Sequence, residues 1–136
     1  MKSYRELEVW RKSKDLAVQL YRATERFPRN EQFGLTAQIR RAATSCPANI
    51  AEGWGRGSTR EYIQFLLIAR GSILEVETHL LIAAELGYLT PGQLRGFQDQ
   101  IESIGQMLNR LIQALRARQS VRSAPKPEPR TPSPVA

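Results

Sequence analysis

From Leu94 to Leu115, the apolar residues Leu94, Phe97, Ile101, Ile104, Leu108, Leu111 and Leu115 recur in strict alternation of three and four positions. That spacing brings all of them to one side of an α-helix and demands a helical partner along its length. Three earlier segments carry a looser form of the same period. The first predicted helix runs from about Tyr4 to Phe27, with Trp10, Ala17, Leu20, Tyr21 and Thr24 on its core face and Pro28 as its stop. The second runs from about Glu31 to Glu52, with Asn30 as cap and Leu35, Ile39, Ala42, Ala43, Cys46 and Ile50 as its stripe. A kink is expected at Pro47, whose ring removes a backbone donor and crowds the carbonyl one turn back. The third runs from about Thr59 to Leu86, opened by Ser58 and Glu61 at capping-box spacing and closed by Gly87, with Tyr62, Phe65, Leu66, Ala69, Ile73, Val76, Leu80 and Ala83 facing the core. Thr90 and Pro91 begin the fourth. No alternating strand pattern competes, so the expected fold is all-α: an antiparallel up-down four-helix bundle with a kinked second helix.

One domain is expected over residues 1–119, and the remaining 120–136 are expected to be a disordered tail. That tail holds five of the eight prolines and, besides alanine and proline, only Val121 and Val135 as apolar side chains, too few to offset the entropy of ordering. No apolar run approaches the roughly 20 residues that span a bilayer, so no membrane is expected. Cys46 is the only cysteine, which forbids an internal disulfide. With no secretory signal at the N-terminus, the expected location is the cytoplasm.

The segment from Asn49 to Tyr62 places Gly53, Gly55 and Gly57 at every second position beside Arg56 and Arg60. A phosphate-binding loop needs a strand leading in, and the Walker form needs Gly-Lys-Ser/Thr behind it. Here a helix leads in and no lysine follows the last glycine, and the even spacing also fails the dinucleotide pattern. The segment therefore reads as an interhelical turn, with Gly53 ending the second helix and Gly55 and Gly57 free to take positive φ. The N-terminus of the third helix, beside Arg56 and Arg60, retains some capacity to hold an anion.

A second periodic set, Gln38, Arg41, Ser45, Asn49 and Glu52, lines one edge of the second helix, and Ser72, Glu75 and His79 line an edge of the third. The spacing suits neither a His-Glu-x-x-His zinc site nor a di-iron bundle, and His79 is the only histidine. These residues are expected to form a structural polar network, with Arg41 facing Glu52 or Glu75. Replacing Glu75 with glutamine is then expected to destabilise the fold without abolishing chemistry. No metal or cofactor is expected. Cys46 reads as buried filler and Trp10 as core, while Trp54 reads equally as a packing lid or a contact residue.

Leu67, Gly71, Thr78, Leu81 and Ile82 fall on the side of the third helix opposite its core face. A helix apolar nearly all round needs cover on both sides, so these residues are expected to form an interface between copies of the chain. The net charge of +7 favours an acidic partner, nucleic acid first. Arg11, Lys14, Arg22 and Arg26 cluster on one part of the first helix, diluted by Asp15 and Glu25. In a single copy that face is as well read as ordinary solvated surface; repeated around a ring it gains avidity for phosphates.

Tyr4-Arg-Glu-Leu-Glu-Val-Trp10, Phe27-Pro28, Gly34-Leu35-x-x-Gln38-x-x-Arg41-Ala42-Ala43-x-Ser45, Asn49-Ile-Ala-Glu-Gly53 and Ala69-Arg-Gly-Ser72-x-x-Glu75 resemble the four-helix bundle proteins encoded in intervening sequences of bacterial 23S ribosomal RNA genes. The same family includes accessory proteins of diversity-generating retroelements. The resemblance covers about residues 2–115 and implies a homopentamer without known catalysis. For the retroelement relatives it implies a basic ring that binds nucleic acid and a reverse transcriptase. The expected function is binding of RNA or DNA through Arg11, Lys14, Arg22, Arg26, Arg56 and Arg60. The alternative is a protein–protein adaptor with no nucleic-acid role.

Overall fold

The computed structural model describes residues 2–123. Four α-helices account for most of them: α1 Glu8–Thr24, α2 Leu35–Gly55, α3 Thr59–Glu85 and α4 Pro91–Ser123. They form an all-helical four-helix bundle, with no strand among the described residues. Each helix packs against its neighbours in sequence and α1 closes the bundle against α4, whereas α1 and α3 lie on opposite corners with no close approach of their backbones. The core centres on Leu16, Leu20, Ile39, Ile50, Leu66, Ile73, Val76, Leu80, Ile104, Leu108 and Ile112, all essentially removed from solvent.

The helix starts at α3 and α4 follow local chemistry. Ser58 Oγ accepts from the Glu61 amide at 3.2 Å. Thr90 and Gln93 cap reciprocally: Thr90 Oγ1 accepts from the Gln93 amide, and Gln93 Oε1 accepts from the Thr90 amide. Gly87, at φ +82°, ends α3 in the left-handed conformation that side chains disfavour.

The start of α2 differs from the expectation at Asn30. A 3-10 turn occupies Arg29–Glu31, and α2 begins only after Gly34. Glu31 takes the capping role: its Oε1 accepts from the Leu35 amide at 3.4 Å, and its Oε2 accepts from the Tyr88 hydroxyl at 3.1 Å. The N-terminus also divides, with a 3-10 turn at Tyr4–Glu6 ahead of α1. Pro47 is buried inside α2, which continues through it as one helix. At the other end, α4 runs to Ser123, past the expected boundary at 119; the rest of the Pro-rich tail, 124–136, lies outside the described residues.

The glycine segment is shorter than expected. Gly53 and Gly55 belong to α2, and neither they nor Gly57 has positive φ. Gly53 serves close approach instead. A Cβ there would lie 2.7 Å from Phe65 Cβ and 3.3 Å from the Tyr62 carbonyl oxygen, so the missing side chain lets α2 settle onto α3.

Candidate nucleic-acid interface

The basic residues of α1 sit on its solvent side because the inward side is committed to Val9, Ser13, Leu16, Ala17, Leu20 and Thr24. Arg11, Lys14 and Arg22 are exposed along α1, and Arg26 is exposed two residues past its end. No carboxylate lies within ion-pair distance of Arg11, Arg22 or Arg26 among the described residues. Lys14 reaches Asp15 at 2.7 Å and stands 5.9 Å over the Trp10 ring. Both members of that ion pair are half exposed, so water screens much of the attraction and leaves the ammonium accessible.

Arg56 and Arg60 are placed differently. Arg56 bonds Glu52 at 2.8 Å, comes within 4.0 Å of Glu61 and covers the Phe65 ring. Two carboxylates thus flank the one guanidinium near the start of α3, and together they oppose an anion there. Arg60 is exposed, without an ion pair among the described residues.

Sequence reading overlooked Arg40, which approaches α1 from α2. Its Nε donates to Thr24 Oγ1 at 2.9 Å, a terminal nitrogen donates to the Tyr21 carbonyl at 3.1 Å, and the guanidinium lies 4.7 Å over the Tyr21 ring. Tyr21 is consequently not a core residue but 41% exposed. The Arg40-Arg41 pair was the available signal: adjacent residues point about 100° apart on a helix, so one could turn inward while the other faced solvent. Trp10 is half buried against the core, and Tyr4 meets both Trp10 and Trp54 edge-on.

The polar edge separates into pieces. Ser45, Asn49 and Ser72 are linked by hydrogen bonds. Glu52 belongs to Arg56, so Arg41 faces no acidic partner there; Arg41 is exposed. Gln38 is half buried. Glu75 reaches His79 at 3.4 Å along the same helix, while His79 Nδ1 is buried without a hydrogen-bond partner among the described residues. An exposed contact of that kind contributes little, so Glu75→Gln should cost less than a networked carboxylate would. No group of three or more His, Cys, Asp or Glu side chains is placed to hold a metal among the described residues.

On the outer side of α3, Leu81 and Ile82 are 42% and 43% exposed, and Gly71 and Thr78 are on the surface with them. Leu67 is half buried against the core. The face also includes Leu74, 56% exposed, and Ile68 and Leu86 flank it, three apolar residues that sequence reading left out. Because α1 and α3 occupy opposite corners, this apolar face and the basic face of α1 are on different sides of the bundle. No described helix is long and apolar enough to cross a membrane.

A family model described as 23S rRNA-intervening sequence protein matches residues 5–110. The chain is also similar to a solved structure from Bacteroides thetaiotaomicron VPI-5482, described as a protein with unknown function from the S23 ribosomal protein family. The two are 27% identical with a TM-score of 0.72, and the match covers 77% of this chain and 95% of the other. No curated protein matches.

Proposed function

The chain belongs to the 23S rRNA-intervening sequence protein family, and from that premise we propose that it acts as a non-catalytic, self-associating bundle, a homopentamer, that binds RNA or DNA through phosphate contacts. The supporting observation is the separation of two surfaces: uncompensated arginines on α1 and exposed leucine and isoleucine on the opposite corner, α3. Burying the α3 face between copies removes apolar area from water and leaves each copy's α1 face outside the contact. Several weak cationic faces then act on one polyanion.

Arg11, Lys14, Arg22 and Arg26 make the principal contacts, with Arg60 adding charge and Arg56 held by its carboxylates. Phosphate contacts carry no base information, so binding tolerates many sequences. Such a particle suits an accessory role beside a nucleic-acid enzyme, a reverse transcriptase being the kind the family resemblance implies.

Titration of labelled RNA and DNA at about 50 and 200 mM salt tests this, since four phosphate contacts per binding event imply a loss of roughly 100-fold in affinity between them. Salt-independent binding, or no shift together with co-purification of an acidic protein, would overturn it in favour of an adaptor.

A further inference from the structure

We infer that the groove between α1 and α2 is a stacking site for an unpaired nucleobase, with Tyr21 as its platform, so that single-stranded RNA or DNA is preferred over duplex. This rests on the phosphate-binding reading above and specifies the strand form bound. The groove, about 360 Å³, has Ala17, Val18, Tyr21 and Pro47 as its apolar lining and Lys14 and Arg22 among its walls. An apolar slot beside two cations matches a nucleotide, which carries a flat, weakly hydrated base and a charged phosphate.

The platform is already built. Arg40 is fixed over the Tyr21 ring by its bonds to Thr24 and to the Tyr21 carbonyl, and Thr24 is itself buried with its hydroxyl donated to the Leu20 carbonyl at 2.7 Å. A ring held in this way loses little freedom when a base stacks on it. Trp10 offers no equivalent surface, because it is half buried against the core and the Tyr4 edge packs on it. The hydroxyl of Thr44, at the groove, donates to the Arg40 and Arg41 carbonyls, so it does not supply a donor to read a base edge. Stacking without edge contacts accepts any base. Bases inside a duplex are stacked on one another and cannot present a face, which is the source of the strand preference. Arg11 and Arg26 extend the cationic track beyond the groove at both ends of α1.

Anisotropy titrations of the full chain with a short labelled oligothymidylate, oligouridylate and a duplex of equal length, at one salt concentration, test the inference. The expected result is tighter binding of both single strands than of duplex. Tyr21→Ser should weaken single-strand binding about tenfold with duplex binding unchanged and a cooperative thermal transition retained, and Tyr21→Trp should retain single-strand affinity. Unchanged single-strand affinity in Tyr21→Ser, equal loss for duplex, or failure of Tyr21→Trp to bind would overturn the stacking site. Equal, steeply salt-dependent binding of both forms by the unsubstituted chain would remove the stacking site and leave the phosphate reading standing. Absence of binding to either form would overturn both.

Discussion

Ser45 Oγ and Ser72 Oγ lie 2.8 Å apart across the α2–α3 contact, and their neighbours set the direction of the bond. Ser72 Oγ also lies 3.1 Å from the Ile68 carbonyl, which can only accept, and with the Ser72 proton placed there Ser45 is the donor across the contact. Ser45 in turn accepts from Asn49 Nδ2 at 3.0 Å. The hydroxyls thus tie two helices together in one fixed register. A double-mutant cycle with Ser45→Ala and Ser72→Ala, followed by urea unfolding at constant protein concentration, should give a coupling of about 0.5–1.5 kcal/mol. Additive effects would show that the bond does not form.

Glycines within helices should behave in opposite ways according to their surroundings. Gly53→Ala must push Phe65 Cβ and the Tyr62 backbone away, and the net loss should be about 1–2 kcal/mol after the helix-propensity gain. Gly105, in α4, has open space where an alanine methyl would stand, with no neighbour within 4 Å among the described residues, so Gly105→Ala should gain about 0.5–1 kcal/mol. Thermal melts of the two variants decide the matter.

Cys46 supplies a pH signature. Burial pushes its thiol from 9.0 up to about 12, partly opposed by a hydrogen bond with Ser13. The unfolded chain therefore loses this proton at lower pH than the folded one. The stabilisation is complete below the unfolded value and is lost as pH rises from 9.0 through about 12. In that window the unsubstituted chain should lose up to about 1.4 kcal/mol per pH unit more than Cys46→Ala. Parallel stability profiles for the two chains would contradict the burial of the thiol.

Charge removal should separate the cations by their partners. Neutralising Arg11, Arg22 and Arg26 to glutamine should lower the salt slope of nucleic-acid binding by about one unit per residue that contacts phosphate. Arg56→Gln should change it little, because Glu52 and Glu61 already offset that charge. An equal effect of all four would mean that the α3 N-terminus joins the interface.

Much of the fold was legible where the signal was local. The Ser58 and Thr90 caps, Gly87 and the α2 stripe each depend on residues within a few positions of one another. The inward face of α1 was read less well: Val9, Ser13 and Leu16 are buried there, whereas Trp10 is only half buried and Tyr21 is exposed. Ser13 donates to the Trp10 carbonyl and so sits inside without counting as apolar, while Thr24, expected on the core face, is buried with its hydroxyl donated to the Leu20 carbonyl. In α4 the strict seam names Leu111, yet Ile112 is the fully buried residue, since a helix of 3.6 residues per turn drifts from a seven-residue repeat. Gly53 and Arg40 escaped because their roles depend on a second helix, whose distance no local pattern encodes.

In the function proposed, assembly and with it the grip on a polyanion depend on the α3 outer face. Light scattering of the full chain at low micromolar concentration measures this directly. The expected mass is close to five times the 15.4 kDa of one chain; a folded particle of 15.4 kDa would contradict self-association.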